Sequence, residues 1–443
     1  MPNFEDFASY EQFARRLPDF ENASGVGRTE HRFSLEPLRQ LLSSLGCLDY
    51  PLPVFQIVGS KGKGSVAFFL ERLLRAGSLR TGLFHSPHIH SRRERFLIDG
   101  ELANEVQWCA VAAEVWQVME MESLRLSRFE LELAISLKLF LLEGVNVVVL
   151  EAGLGGISDA TSAIPADMLL LASLELEHTS ILGETLEDIA YQKIGMVEEG
   201  VPVIVGPIPQ EPMGLIRKIC RERHCPLLEV GRHIVVDQLE ALCDGSRFVL
   251  EFGSRRERIR QKVSIGVLGL HQAYSVAITV AAMDFFLTQK KQREPFPLGL
   301  LELLDEVRIP GRLEICSKEP LLLVDSAHTV RSLTSSLESC FAHFDRWPDV
   351  IVLGLNEDKH VLKELPSLLG HCKRLILVPN PGPRGCSPHR MRRYVEEQMP
   401  IQTEVFPDVH SGLRAMEEWI GEDGFALVTG SFRLAGEAIR WRF

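Results

Sequence analysis

The chain has 443 residues, of which 45% are hydrophobic and 24% charged, and its net charge is −12 at pH 7. These are values of a globular protein with room for two or three domains. The acidic balance argues against nucleic-acid binding, which depends on cationic contacts to phosphates. Nine cysteines without a C-x-x-C pair, no signal peptide and no long apolar run predict a cytoplasmic protein that does not enter a membrane.

Strand and helix patterns alternate along the first two thirds of the chain. Short apolar runs predict strands, and apolar residues at helical spacing predict helices between them. Such alternation is typical of a parallel sheet with crossover helices. The predicted strands are 54–58, 81–85, 145–150, 168–174 and 201–205, and the predicted helices are 34–46, 66–76, 130–143 and 185–196. Residues 234–265 alternate differently and predict a small antiparallel hairpin.

A charged stretch before Pro295, residues 289–294, is the best candidate for a linker. Strand patterns begin again after it, at 321–324, 350–355, 374–378 and 426–429. The sequence therefore predicts an α/β protein in two domains. Residues 1–296 would form a P-loop-type, mostly parallel-sheet ATPase domain with a small antiparallel addition, and residues 297–443 a smaller Rossmann-like α/β domain.

The glycine-rich segment after the first predicted strand has the context of a phosphate-binding loop. It lies between a strand and a helix, so that backbone N–H groups at the helix start would point at an anion. Lys63 would neutralise β- and γ-phosphates, and the Ser65 hydroxyl would ligate Mg²⁺. The alternative is a solvated glycine- and lysine-rich loop. The segment consists of Gly59, Ser60, Lys61, Gly62, Lys63, Gly64 and Ser65.

Polar residues follow two other predicted strands, where ligands of parallel sheets collect. Glu151 ends one strand and precedes three glycines, and its carboxylate suits a hard cation held together with substrate phosphates. His178 follows the next strand, and Lys193 lies one helix further on. Taken alone, Glu151 could be a helix N-terminal acid, His178 a structural histidine and Lys193 a surface lysine.

These segments together resemble the folylpolyglutamate synthase and dihydrofolate synthase family of the Mur ligase superfamily. The loop resembles that family's G-T-N-G-K-G-S, residues 151–162 resemble E-x-G-L-G-G-R-x-D-A-T-N, and Ser86-Pro87-His88 matches its S-P-H. The resemblance implies a Mur ligase-type ATP-binding domain. It also implies metal ligands at Ser65, Ser86, Glu151, His178 and Lys193, the last of these carbamylated.

The second half of the resemblance implies residues that complete the nucleotide site. Gln272 in G-L-H-Q would face the nucleotide, and Arg312 in P-G-R-L-E would reach the ATP phosphates. Asp325 would contact the ribose and His328 would lie near the reacting groups. The sequence departs from the family pattern at several motif positions, namely Ser60, Lys61, Ile157, Ser162, Glu177, Ser275, Ser326 and Thr329.

The resemblance implies an ATP- and Mg²⁺-dependent ligase that adds L-glutamate to a folate-type carboxylate through an acyl phosphate. Lys63, His178, Lys193, Arg312 and His328 would serve catalysis. The acceptor would be dihydropteroate, a tetrahydrofolate polyglutamate or both, and the protein would be a monomer. Two alternatives stay open: a degenerate nucleotide-binding paralogue without ligase activity, and a Mur-type ligase acting on a non-folate acid.

Overall fold

The strands of the computed structural model form three sheets. The structure describes residues 4–19, 34–48, 52–253, 258–290, 296–382, 384–398 and 401–442. Within these ranges one sheet has eight strands, one has three and one has six. The predicted fold class is therefore confirmed: a large, mostly parallel sheet, a small antiparallel addition, and a smaller mixed α/β sheet.

The large sheet is built from the first half of the chain. Its strands are β1 (Val54–Val58), β2 (Thr81–Phe84), β3 (Phe96–Ile98), β4 (Glu101–Leu102), β5 (Val147–Glu151), β6 (Met168–Leu171), β7 (Val203–Val205) and β8 (Leu227–Glu229). They lie in the order β4-β3-β2-β5-β1-β6-β7-β8, and β3 and β4 form an antiparallel edge. Strands β5 and β6 pair in parallel with β1, so the carboxyl ends of these three strands meet.

Helices cover both faces of this sheet. They are α1 (Phe7–Ala14), α2 (Glu36–Ser44), α3 (Lys63–Ala76), α4 (Glu105–Met121), α5 (Arg128–Leu142), α6 (Thr179–Leu182), α7 (Leu186–Ile194), α8 (Gln210–Glu222) and α9 (Gln272–Lys290). Phe55 and Ile57 of β1 pack towards α3 and α9, whereas Val54 and Val58 face the opposite side. Strand β1 is therefore buried on both faces, which explains why it is apolar apart from Gln56, whose side-chain amide donates to the Thr161 carbonyl at 2.6 Å.

All five strands predicted for this sheet are confirmed, with one difference in length that matters for the site. Strand β6 ends at Leu171, three residues before the predicted end. Ala172 and Leu174 lie in the loop beyond the strand but are buried. Their apolar side chains therefore made the predicted strand too long. Residues 172–178 thus form a connection that leaves the sheet beside the end of β1.

The region 234–265 contains three antiparallel strands and not the two of the predicted hairpin. They are β9 (Val235–Leu242), β10 (Gly245–Gly253) and β11 (Arg258–Ile265). Four of the eight side chains of β9 are exposed and none is fully buried, so its sequence lacks a clear apolar alternation. Phe248, Leu250 and Phe252 of the central strand join the core beneath α3 and α9.

The six-stranded sheet follows in the second half of the chain. Its strands are β12 (Glu314–Lys318), β13 (Leu321–Val324), β14 (Val350–Leu353), β15 (Arg374–Leu377), β16 (Gln402–Val405) and β17 (Phe425–Thr429), in the order β12-β13-β17-β14-β15-β16. Its helices are α10 (Val330–Phe344), α11 (Lys359–Leu368), α12 (Pro388–Glu396), α13 (Val409–Ile420) and α14 (Phe432–Arg442). The four strands predicted here are confirmed; β12 and β16 were not foreseen.

The predicted linker at 289–294 is only partly within the described residues. Positions 289 and 290 still belong to α9, and positions 291–294 lie outside the described ranges. No helix in those ranges combines the length and the apolar composition that crossing a bilayer requires.

Glu132 of α5 is a fully buried carboxylate that three arginines surround. Nη1 of Arg92 lies 2.9 Å from both carboxylate oxygens, and Nε of Arg128 lies 2.8 Å from Oε1. Nη1 of Arg95 lies 3.6 Å from Oε2. Arg92 and Arg95 belong to the segment between β2 and β3, so this cluster ties that segment to α5.

We expect Glu132→Leu to lower the free energy of unfolding by about 3–5 kcal/mol, because it leaves buried guanidinium groups without their main partner. The midpoint of urea unfolding measures this loss. Glu114→Gln is the matched control, since Glu114 pairs with Lys138 at 3.3 Å on a half-exposed surface and should cost less than about 1 kcal/mol. Equal shifts for both variants would mean that the cluster contributes no more than a surface ion pair.

Candidate active site

One large cavity lies between the carboxyl edge of the eight-stranded sheet and the six-stranded sheet. Its volume is 1790 Å³, well above the roughly 300–1,000 Å³ of a site for one small ligand. All the residues predicted for the site line it: Gly59, Ser60, Lys61, Gly62, Lys63, Gly64, Ser65, Ser86, Glu151, His178, Lys193, Gln272, Arg312, Asp325 and His328. Their placement together is observed, whereas their individual roles stay predictions.

The phosphate loop is fixed against the connection that follows β6. The Lys61 N–H donates to Oγ of Ser173 at 2.8 Å, and this hydroxyl donates back to the Lys61 carbonyl at 2.9 Å. The Ser60 N–H donates to the Ser173 carbonyl at 3.0 Å. Gly62 caps the start of α3 with φ +81°, a backbone conformation that residues other than glycine rarely adopt. Ser173 was not predicted, because a serine after a strand carries no distinctive signal.

Two lysines converge on one carbonyl at the base of the loop. Nζ of Lys63 lies 3.0 Å from the Gly59 carbonyl, and Nζ of Lys193 lies 2.9 Å from the same oxygen. Lys193 is only 1% exposed. Burial, and then repulsion from Lys63, lower the pKa of Lys193 to about 8. Its neutral amine is therefore much more populated than that of a surface lysine.

Glu177 accounts for the unexpected Lys61. Its carboxylate lies 3.6 Å from Nζ of Lys61 and 3.4 Å from Nζ of Lys193, so it bridges the loop and the buried lysine. Burial alone would raise the pKa of Glu177, but the ammonium groups of Lys63, Lys193 and Lys61 outweigh burial and lower it. The extra positive charge in the loop is thus balanced by a carboxylate within the site.

Glu151 ends β5 directly opposite Ile57 and is almost fully buried. One carboxylate oxygen accepts the Ser86 N–H at 3.1 Å. Burial raises the pKa of Glu151 to about 7, and the attraction of Lys63 reduces that rise only partly. A methyl group added at Gly64 would lie 3.6 Å from Oε2, so the carboxylate faces the start of α3. A cation beside it would offset its desolvation, which fits the predicted metal ligand.

The other predicted metal ligands are arranged less compactly. His178 is exposed, has φ +48° and caps the short helix α6. In the described ranges, no three side chains of the types His, Cys, Asp and Glu come together as a metal-binding group. The Glu151 carboxylate and the Ser65 and Ser86 hydroxyls, which line the cavity, are oxygen donors of the kind that Mg²⁺ takes together with water and substrate phosphates.

Asp159 is a buried carboxylate that matches the Asp of the family motif at 151–162 but was not predicted for the site. It accepts the Leu154 N–H at 2.7 Å, the Thr161 N–H at 3.0 Å and the Thr161 hydroxyl at 2.7 Å. Burial raises its pKa. These bonds fold the glycine-rich segment after Glu151 into a compact turn beside the cavity. Ile157, where the family pattern has arginine, packs against Gly195 in the same region.

Arg312 reaches the cavity from a strained loop before β12. Gly311 and Leu313 on either side have φ +64° and +45°, and a positive φ at leucine costs conformational energy. Nη1 of Arg312 donates to Oγ of Ser326 at 2.7 Å, and its guanidinium lies 4.8 Å from the centre of the Phe432 ring. Ser326, where the family has glycine, therefore holds the side chain in place.

Asp325 stabilises this loop. Its two oxygens accept the Leu313 N–H at 2.9 Å and the Ala327 N–H at 3.0 Å, and burial raises its pKa. The observed contacts hold backbone in place, so the predicted contact to ribose stays a prediction. Thr329, where the family has asparagine, caps α10 by accepting the Ser332 N–H.

Two further polar groups face the cavity. Nδ1–H of His328 donates to the Ser326 carbonyl at 2.9 Å, which leaves Nε2 as an acceptor. Burial lowers the pKa of His328 to about 4, so the ring is neutral at physiological pH. Oε1 of Gln272 is buried without a hydrogen-bond partner at the start of α9. An unsatisfied buried amide oxygen in a cavity wall is consistent with a ligand contact.

Comparisons with known proteins agree with the motifs. A family model described as the Mur ligase glutamate ligase domain matches residues 311–432. The dihydrofolate synthase/folylpolyglutamate synthase of Bacillus subtilis is 26% identical over 324 residues, which cover 70% of this chain and 74% of that protein. The mitochondrial folylpolyglutamate synthase of Bos taurus is 30% identical over 322 residues, which cover 66% of this chain and 51% of that protein. The match thus spans about half of the mitochondrial relative.

A solved structure extends the likeness to nearly the whole chain. The folylpolyglutamate synthase of Mycobacterium tuberculosis complexed with ADP matches with a TM-score of 0.86 at 22% identity, covering 98% of both chains. At that identity the likeness establishes the fold. The family model matches the Mur ligase glutamate ligase domain at residues 311–432, and over about two thirds of its length the chain is similar to folylpolyglutamate and dihydrofolate synthases, in agreement with the motifs.

Proposed function

We propose that this chain is an ATP-dependent ligase that adds L-glutamate to the carboxylate of a folate-type substrate through an acyl phosphate. The observation that carries the proposal is the shared cavity. It joins a phosphate loop on the large sheet to Arg312 on the other side, with Glu151 beside the loop. A volume of 1790 Å³ has room for a nucleotide and a second substrate together.

The names of the relatives narrow the substrate class. The Bacillus subtilis relative is named for both dihydrofolate synthase and folylpolyglutamate synthase, and the Bos taurus relative for the second activity alone. The Mycobacterium tuberculosis structure contains ADP. These names support ATP as phosphoryl donor and dihydropteroate or a folate polyglutamate as acceptor. Of the earlier alternatives, a ligase for non-folate acids and a paralogue without activity find no support in them.

The first step would transfer the γ-phosphoryl group. A carboxylate oxygen of the acceptor attacks γ-phosphorus, the bond to the β,γ-bridging oxygen breaks, and ADP leaves. Lys63 and the N–H groups at the start of α3 would neutralise the phosphates from one side, and Arg312 from the other. Preorganisation supports this role for Arg312, since Ser326 and Phe432 already hold its guanidinium.

The second step would form the amide. The neutral amine of glutamate attacks the acyl phosphate, phosphate leaves and the nitrogen loses a proton. His328 is neutral and keeps Nε2 as an acceptor, so it could orient the amine N–H. Enclosure between the two sheets would limit hydrolysis of the acyl phosphate by water.

Magnesium would be held by Glu151 together with the hydroxyls of Ser65 and Ser86, with phosphate oxygens and water completing the shell. It would supply charge neutralisation of the β- and γ-phosphates. His178 and a carbamylated Lys193 remain proposed ligands of the metal. The lowered pKa of Lys193 supports carbamylation, because only an unprotonated amine adds carbon dioxide.

The proposal predicts acceptor-dependent phosphate release from Mg-ATP in the presence of glutamate. Dihydropteroate and tetrahydrofolate are compared with no acceptor, and mass spectrometry of the product identifies the added glutamate. Glu151→Ala should lower the rate at least about 100-fold, because it removes the proposed carboxylate ligand. Glu187→Ala, which alters an exposed carboxylate in the first turn of α7, should leave the rate unchanged.

The better acceptor in this assay would identify the preferred activity. Phosphate release without a glutamylated product would contradict the ligase assignment. Tight ATP binding without phosphate release on either acceptor would favour the paralogue without activity, and release with a different carboxylic acid would favour a non-folate ligase.

Arg312→Ala should lower kcat by about 100- to 1,000-fold, because a guanidinium aimed at charge developing on phosphorus is lost. The affinity for Mg-ATP should fall about tenfold. Arg312→Lys should recover only part of the rate, since an ammonium cannot reproduce the planar contact with Phe432. The control is Arg308→Ala, an exposed residue of the same segment. A kcat within twofold of wild type in Arg312→Ala would rule out this role.

A further inference from the structure

A loop from the large sheet crosses the cavity rim and enters the core of the six-stranded sheet. It follows β2, and its first residue, Ser86, donates to the Glu151 carboxylate. Three residues later, Ile89 is buried in the apolar cluster of the other sheet, with Leu322, Val324 and Ala435. No other residue that this cluster includes comes from the first half of the chain, within the described ranges. We call residues 86–91 the crossing loop.

Two glycines make the slot that receives Ile89. A Cβ at Gly436 of α14 would overlap the Ile89 carbonyl oxygen far inside van der Waals contact. A Cβ at Gly311 would lie 2.9 Å from Cδ1 of Ile89. Nη1 of Arg440 also donates to the His90 carbonyl at 3.3 Å. The loop is thus held by backbone as well as side-chain contacts, and any larger residue in the slot would displace it.

The crossing loop is stiffened from within. The Glu94 carboxylate accepts N–H groups from Ile89 at 2.8 Å, His90 at 2.8 Å and Ser91 at 2.7 Å. Three charge-assisted bonds to one carboxylate fix the backbone of these residues relative to each other. A displacement of Ile89 is therefore expected to move residues 89–91 together.

Ile89 also touches the loop that carries Arg312. Gly311, which the Ile89 side chain contacts, directly precedes Arg312 in the strained turn. One end of the crossing loop thus touches the carboxylate beside the phosphate loop, and its middle touches the arginine loop on the other side. The distance between the phosphate loop and Arg312 determines whether both can contact the same phosphoryl group. An error of about 1 Å in such a distance can lower the rate about 100-fold.

We propose that Ile89 is a positioning residue that sets Arg312 relative to the phosphate loop by docking in the Gly311–Gly436 slot. This inference rests on the proposed function for its effect on ligation. Its effect on nucleotide binding does not depend on the folate substrate. Ile89 acts through Arg312, so removing its side chain should matter only while Arg312 is present.

The test is a double-mutant cycle in the full-length protein, read as the Kd of a non-hydrolysable ATP analogue with Mg²⁺. Ile89→Ala and Arg312→Ala should each weaken binding about tenfold, and the double variant should bind within about twofold of Arg312→Ala. A residue that merely supports the fold would instead add its full loss to that of Arg312. Melting temperatures verify folding, and Ile89→Val, which removes one methyl group, should give an intermediate loss.

Gly436→Ala tests the slot from the other side. Alanine favours a helix, so the change should not unfold α14, but its Cβ should displace Ile89 and weaken binding about as Ile89→Ala does. Gly214→Ala is the matched control, because it lies in α8 with nothing within 4 Å of the added Cβ. It should leave Kd unchanged.

In the ligase assay the same variants should lower kcat more than KM for acceptor. Wild-type Kd in Ile89→Ala, additive losses in the cycle, or equal behaviour of Gly436→Ala and Gly214→Ala would each overturn the positioning role. Two results together would overturn the proposed function and leave the positioning role standing. The wild-type protein would bind the analogue but release no phosphate with any folate acceptor, and the variants would still give the non-additive Kd values.

Discussion

The site depends on the parallel pairing of β1 with β5 and β6. These strands are covered on both faces, so apart from the hydrogen-bonded Gln56 their polar side chains lie at the strand ends, and parallel pairing brings those ends together. The phosphate loop, Glu151 and the connection containing Ser173 meet there for that reason alone. The polar groups at these three strand ends therefore share one origin, the buried parallel pairing of β1, β5 and β6.

The other half of the cavity is built differently, around a strained turn. Positive φ at Gly311 and Leu313 exposes the Arg312 side chain, and Asp325 compensates the strain by accepting the Leu313 N–H. Ser326 and Thr329, where the sequence departs from the family pattern, both make local contacts: the first accepts a hydrogen bond from Arg312 and the second caps α10. Substitutions inside motifs are thus accommodated in this chain without loss of the site's geometry.

Local sequence patterns predicted the elements and the site residues that stand at strand ends. Buried strands such as β1 and β14 can be recognised as mainly apolar runs, and the phosphate loop can be recognised by the spacing of its glycines and Lys63. Contacts between distant segments could not be predicted in this way. Ser173 bonding to Lys61, Glu177 balancing that lysine, and Ile89 in its glycine slot all depend on three-dimensional placement of residues ordinary in composition. Three antiparallel strands lie where a hairpin was predicted, because β9 has no fully buried side chain that would mark it as a separate strand.

The carbonyl oxygen of Gly59 receives both Lys63 and Lys193, which makes the two ammonium groups sensitive to each other. Repulsion between them is part of what lowers the pKa of Lys193. If Lys193 became a carbamate, its sign would change from positive to negative, and repulsion of Lys63 would become attraction. A modification at one lysine would then change the electrostatic environment of the other, because both ammonium groups share the Gly59 carbonyl oxygen.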